Sequence, residues 1–353
     1  MNISIGINPF IKRTMLNKEK NKLQVGIIGL GVGEAHIQGY ARHPGAQVVA
    51  LCDFDPARSL DAKQKYPTMR HVENADDILK SPDIDVVSIA SYDNYHYQQI
   101  MTAIENGKHV FVEKPMCLHE HEARDIRKAL NSQKHLKISS NLILRKCPRF
   151  IEIKKRINNG QMGKLFHLDG SYNYGRRHKI IDGWRGDMDF YSGFCSGAVH
   201  LLDLFIWFTG GKVLEVMSYG NQIVTQGSKF KYNDSMTTIF KFEDGLTGRI
   251  SVHLGSVMPH HHELNIYGEK ATFMNCFQHP VYFNTSDPAS TPEIMKQDYP
   301  GAHKGDLLYN FIDAIFNDVP LEVSTEDVFK AMSVCFAFDR SMIEARPVKV
   351  EYI

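Results

Sequence analysis

Hydrophobic residues in the first third of the chain fall in short, nearly unbroken runs, each followed by a stretch of helical period. Gln24 to Gly29 (QVGIIG), Gln47 to Cys52 (QVVALC), Asp85 to Ala90 (DVVSIA), His109 to Val112 and Leu136 to Ser140 are such runs. Strands that are apolar on successive residues have both faces buried, as in a parallel sheet lying between helical layers. Helices are expected between them, at Asn94 to Asn106 and His119 to Ser132 among others. The repetition of strand, helix and strand predicts a doubly wound α/β domain over residues 23–143.

Past residue 144 the pattern changes. A helix at Pro148 to Asn158 runs into an Asn159-Gly160 turn, and strands then dominate. Ser235 to Phe242 and Leu246 to Leu254 flank Glu243-Asp244-Gly245, and Ile250, Val252 and Leu254 alternate with Ser251 and His253. Alternation beside an Asp-Gly turn predicts an antiparallel hairpin with one face free to be covered. Helices at Lys304 to Phe316 and Thr325 to Glu344 and a strand at Val348 to Tyr352 close the chain. Residues 144–353 are therefore expected to form a second, mostly antiparallel α+β domain. The polar, basic residues 1–22 are expected to be a disordered tail.

The 353 residues are too many for one ordinary core and suit two domains. Lys plus Arg is 41 against 40 Asp plus Glu, a balance that gives no long-range attraction to nucleic acid or an anionic membrane. The apolar run Leu201 to Phe208 is interrupted by Asp203 and is too short to span a bilayer. Six scattered cysteines form no CxxC pair and no metal-ligand spacing, so free thiols in the cytoplasm are expected.

The first strand ends in Gly29-Leu30-Gly31-Val32-Gly33-Glu34. A strand that turns tightly into a helix, with its backbone close to a pyrophosphate, needs glycine. Asp53, at the end of the second strand, is placed to accept hydrogen bonds from adenosine ribose hydroxyls and would repel a 2′-phosphate. Together they predict a dinucleotide site that takes NAD in preference to NADP, with Gly29, Gly31, Val32, Gly33 and Asp53 holding the cofactor. Glu34, where a sixth fingerprint glycine is usual, is expected to loosen the helix packing.

Further on stand Asn94-Tyr95-His96 and Gly107-Lys108-His109-Val110-Phe111-Val112-Glu113-Lys114-Pro115, and later the HLLDLFIWFTG run from His200 to Gly210. With the glycine turn and the CDFDP stretch at Cys52 to Pro56, these resemble the glucose–fructose oxidoreductase and inositol dehydrogenase family, Gfo/Idh/MocA. GKHVFVEKP is the specific part, and the resemblance runs from about Leu23 to the end of the chain. It implies a Rossmann domain followed by an α+β domain on a large, open, mostly antiparallel sheet, which serves as a homodimer or homotetramer interface. It also adds Asn94, His96, Glu113 and Lys114 to the cofactor site.

In the resemblance Lys114 and His200 are the catalytic pair, and both touch substrate. The lysine holds the reacting oxygen and the histidine exchanges its proton. Pro115 is a candidate for a cis peptide bond. Many members carry an aspartate four positions before the histidine, where this chain has Ser196, so Asp203 or a residue from elsewhere is left to orient the ring. At helical spacing Ser196, His200, Asp203 and Trp207 share a face. Tyr174, Arg176 and Arg185 are candidate substrate contacts: four positive charges fall within residues 176–185, where arginine forks suit anionic groups and aromatic faces suit sugars. In His260-His261-His262 only the first and third share a strand face, so no metal site is expected.

These features imply an NAD-dependent oxidoreductase acting on a secondary alcohol or ketone of a sugar, sugar nucleotide or cyclitol. The alternatives are a closed-cycle enzyme that retains its NAD, acting as a glycosidase or epimerase, and a non-catalytic NAD-binding sensor.

Overall fold

The computed structural model describes Lys22–Ile353, so the expected tail falls, but for Lys22, outside the described residues. The chain divides into two compact units, each assembled from separate stretches of sequence. Of the described residues, the first takes in Lys22–Glu113, Ala129–Ser139 and Lys304–Glu322; the second takes in Lys114–Lys128, Ser140–His303 and Val323–Ile353.

In the first unit six strands, β1 (Leu23–Ile28), β2 (Ala46–Cys52), β3 (Arg70–Val72), β4 (Val86–Ile89), β5 (His109–Val112) and β6 (Ile138–Ser140), lie in the order β3-β2-β1-β4-β5-β6. β1 pairs in parallel with both β2 and β4, β2 with β3, and β4 with β5. Val25, Ile27, Val86, Val87, Ile89, Val110, Phe111 and Val112 are fully buried, which is why these strands read as continuous apolar runs. β3 is short and polar (RHV), so its pattern carried no strand signal. Lys108 of the GKHV run is also buried, its Nζ donating to the carbonyl of Ile84 at 2.8 Å. The helix Leu308–Asn317 belongs to this unit: Phe311 meets Phe111 edge-on at 5.5 Å. Its approach to the helix Leu30–Ala41 requires a bare backbone, since a Cβ on Gly39 would lie 2.7 Å from Gly305 Cα.

In the second unit nine strands form one sheet: β7 (Leu165–Asn173), β8 (Val213–Asn221), β9 (Ser235–Phe242), β10 (Thr247–His253), β11 (His261–Gly268), β12 (Thr272–Met274), β13 (Val281–Phe283), β14 (Glu293–Ile294) and β15 (Val348–Lys349). Their order is β14-β13-β12-β11-β7-β10-β9-β8-β15. Only the β7–β10 pair is parallel. The expected hairpin is β9–β10, turning at Gly245 with φ 87°. The inner face buries Leu168, Phe240, Ile250 and Leu264 under the helices Val199–Thr209 and Thr325–Glu344, where Phe205 and Phe338 pack on Phe240 at 6.2 and 5.6 Å. On the outer face Arg249 forks onto Asp169 of β7 at 2.7 and 2.9 Å, and Ile239 is opposite Met217.

Candidate active site

The first unit holds a tight glycine turn between β1 and the helix Leu30–Ala41. Gly29 closes β1 with φ 88°, its N–H donates to the Cys52 carbonyl at 2.8 Å, and a Cβ there would lie 2.3 Å from the Ala90 carbonyl oxygen. Only glycine fits that backbone. Gly33 supplies the close helix packing, because a Cβ on it would lie 2.9 Å from Ile27 Cγ2. The expectation that Glu34 loosens the packing is thus corrected: Glu34 faces away from β1, and its carboxylate takes Lys65 at 3.1 Å and the Tyr66 hydroxyl at 3.4 Å. Val32 is exposed in the first helical turn.

Asp53 is buried and already employed. One carboxylate oxygen accepts the N–H of Leu30 at 2.6 Å and the other that of Asp55 at 2.8 Å, tying the glycine turn to the end of β2. Arg58 was not foreseen. Its guanidinium lies 3.9 Å from Asp53, and the space beside Gly31 opens onto it, 3.2 Å from where a Cβ would stand. Asn94 is exposed in the first turn of the helix Asp93–Glu105, whereas His96 is buried, with Nε2 donating to the Ser91 carbonyl at 3.2 Å. Glu113, at the end of β5, is buried against His36 Nε2 at 3.3 Å.

The second unit gathers the other candidates. Lys114 precedes a cis peptide bond to Pro115, and its Nζ donates to the carbonyl of Ser196 at 2.9 Å. Ser196 lies in a single π turn, Phe194–Ala198, which leads into the helix Val199–Thr209 carrying His200. The regular helical face therefore starts at Val199, not at Ser196. A second correction concerns Asp203. It does not orient His200, because both its oxygens are taken by the buried Arg145, at 2.9 and 2.6 Å, and Arg145 also reaches Asp327 at 3.1 Å and lies 5.9 Å from the Trp207 ring.

The ring set against His200 comes from β11: His262, at 5.8 Å and 88°. His260 and His262 do share a face, 4.9 Å apart, packed with Tyr172, while His261 points the other way and donates to the Asn275 carbonyl at 2.9 Å. Among the described residues no three His, Cys, Asp or Glu side chains are grouped to hold a metal ion. His260 Nδ1 faces the carbonyls of Asn173 and Tyr174 at 3.2 and 3.1 Å, so it carries the proton and leaves Nε2 as an acceptor. Burial, then the charges of Arg176 and Lys114, push its pKa down to about 4. Tyr174 is buried; Arg176 and Arg185 stand 5.8 and 5.9 Å from its ring, and Arg185 is stacked 4.4 Å from Trp184. His260 is thus within electrostatic reach of both Arg176 and Lys114.

Residues 23–141 match the family model described as "Oxidoreductase family, NAD-binding Rossmann fold", and residues 150–274 match the GFO/IDH/MocA C-terminal domain. The chain belongs to the Gfo/Idh/MocA family. As a member of it, the protein has an NAD-binding Rossmann domain, and the glycine cradle at Gly29 with the helix N-terminus behind it fits that cofactor. Among Gfo/Idh/MocA relatives, the uncharacterized oxidoreductase YrbE of Bacillus subtilis is 25% identical over 94% of this chain and 97% of its own. The myo-inositol 2-dehydrogenase of Thermotoga maritima is 23% identical over 94% and 99%. A levoglucosan dehydrogenase solved in complex with NADH has the same fold, with a TM-score of 0.82 at 20% identity, covering 94% of this chain and all of that one.

Proposed function

We propose that this Gfo/Idh/MocA protein is an NAD-dependent dehydrogenase acting on a secondary alcohol of a sugar, sugar nucleotide or cyclitol. The observation that carries the reading is the 2.9 Å bond from Lys114 Nζ to the Ser196 carbonyl, which stations the ammonium at the turn that starts the His200 helix. The inositol and levoglucosan dehydrogenases among its relatives support the substrate class.

In this reading Gly29, Gly31, Val32 and Gly33 offer backbone to the pyrophosphate, and Asp53, Asn94, His96 and Glu113 complete the cofactor site. NAD, when bound, accepts the hydride. Lys114 holds the substrate oxygen and stabilises the negative charge that develops on it, while His200 takes the hydroxyl proton. Tyr174 offers a face to the ring, and Arg176 and Arg185 bind anionic substituents of the substrate. The chain self-associates through the outer face of the nine-stranded sheet, where Ile239 and Tyr219 are exposed. The cysteines, all free and five of them buried, suit a reducing cytoplasm.

The test follows nicotinamide absorbance with NAD and a panel of inositols, sugars, sugar acids and nucleotide sugars. NADH should form with one class of compound, and Lys114→Ala should lower that rate by about 100-fold or more while NAD still binds. Turnover undiminished in the variant would refute the role of Lys114. Silence across the panel, with NAD released only on denaturation, would favour a closed redox cycle.

A further inference from the structure

We infer that His262, clamped by Tyr299, is the positioning residue that holds the imidazole of His200 in its working orientation. The inference rests on the proton-transfer role proposed for His200.

The Tyr299 hydroxyl meets His262 twice. It accepts the backbone N–H of His262 at 2.7 Å and lies 2.8 Å from the ring's Nδ1. An amide N–H only donates, so of the two His262 groups that meet the hydroxyl only Nδ1 can accept its proton, and that arrangement leaves the buried O–H satisfied. Nδ1 therefore accepts, and the imidazole is neutral with its own proton on Nε2. Tyr299 is itself immobilised. Its ring meets His261 edge-on at 5.0 Å and Phe150 at 5.8 Å, and the guanidinium of Arg149 is stacked 5.3 Å away. Burial raises the phenol above its ordinary range, so the hydroxyl keeps its proton.

Held by backbone and ring alike, His262 stands nearly perpendicular to His200, with both rings buried. Tyr172 at 5.3 Å and His260 at 4.9 Å support His262 from other directions. Rotation of an imidazole about χ2 is soft and broad, so an isolated histidine samples many ring planes. Asp203, one turn along the same helix as His200, gives both its oxygens to Arg145. A packed neighbour of fixed tautomer limits that rotation without adding charge, and preserves the ring's ability to gain and lose a proton.

The experiment labels the histidines of the full-length protein with 15N and records multiple-bond 1H–15N spectra at alkaline pH, assigning the two rings with His200→Gln and His262→Gln. In the wild type His262 should appear as the Nε2–H tautomer. In Tyr299→Phe it should lose that single form, and the ring signals of His200 should shift with it. A wild-type His262 protonated on Nδ1 overturns the inference, as do His200 signals that superimpose in wild type and Tyr299→Phe. Once a substrate is known, Tyr299→Phe should lower kcat by about 10- to 100-fold with little change in KM, and a raised KM at unchanged kcat also overturns it. Failure of the wild type to reduce NAD with any polyol would defeat the dehydrogenase reading, and the spectra would still decide the tautomer and the coupling.

Discussion

Gly29 shows how tightly a single backbone position can be constrained. Its φ of 88° and the Ala90 carbonyl 2.3 Å from a would-be Cβ leave no room for any side chain. Gly29→Ala should destabilise the protein by at least about 2 kcal/mol in urea unfolding and abolish NAD binding in a fluorescence titration. An alanine variant that unfolds at the wild-type midpoint and binds NAD would show that the turn is not under this constraint. The glycines and Asp53 were legible in sequence because the chemistry of a phosphate turn requires those residue types at those spacings. That Asp53 braces the turn by accepting the Leu30 and Asp55 N–H groups was not legible, since a carboxylate near a ribose site and one tied to backbone amides look alike in a sequence.

Among elements, the helix Val199–Thr209 is held by one buried cation. Arg145 ties Asp203 of that helix to Asp327, which with Ser324 forms the capping box of the helix Thr325–Glu344. Burial raises the pKa of Asp203 against the pull of Arg145, so the pair is costly to bury and more costly to break. Asp203→Ala should therefore lower stability by about 3 kcal/mol, Asp327 remaining as a partial partner, and urea midpoints would measure it. A loss no larger than that of a surface substitution would mean the guanidinium finds water or another acceptor. The sequence placed Asp203 on the helix correctly but left it, or a residue from elsewhere, to orient His200. Arg145, 58 residues away, could not have been found by helical spacing.

At the scale of the whole molecule two predictions follow. Asp339 lies against Cys195, whose thiol is 3.6 Å from Oδ2, and burial pushes its pKa up to about 7. In the unfolded chain this group ionises at about pH 4. Between about pH 4 and 7 the folded state therefore holds an extra proton, and stability falls as pH rises through that window. Asp339→Asn should flatten that slope and leave the variant the more stable of the two at neutral pH; unfolding titrations at several pH values would reveal an unchanged slope if the assignment were wrong. The second prediction concerns the proposed association. Ile239 and Tyr219 are 56% and 67% exposed on the outer sheet face. Light scattering should give a mass of two or four chains, and Ile239→Lys should shift it toward one; a monomeric wild type would rule out that interface.

The sequence by itself determined the parallel strands, the β9–β10 hairpin and the long helices, because burial on one or both faces of an element imposes its period on the residues. Motif chemistry likewise singled out the glycine turn, while Lys114 and His200 were singled out by the resemblance to the Gfo/Idh/MocA family. Tertiary structure alone decided which element covers which. Lys304–Glu322 returns to the first unit because Gly39 and Gly305 let two backbones meet, and a pattern of apolar residues reports a buried face without naming its partner. For the same reason His262 reaches His200 through the register of β11 on β7, where His262 is opposite Tyr172, and no spacing along the chain encodes that register.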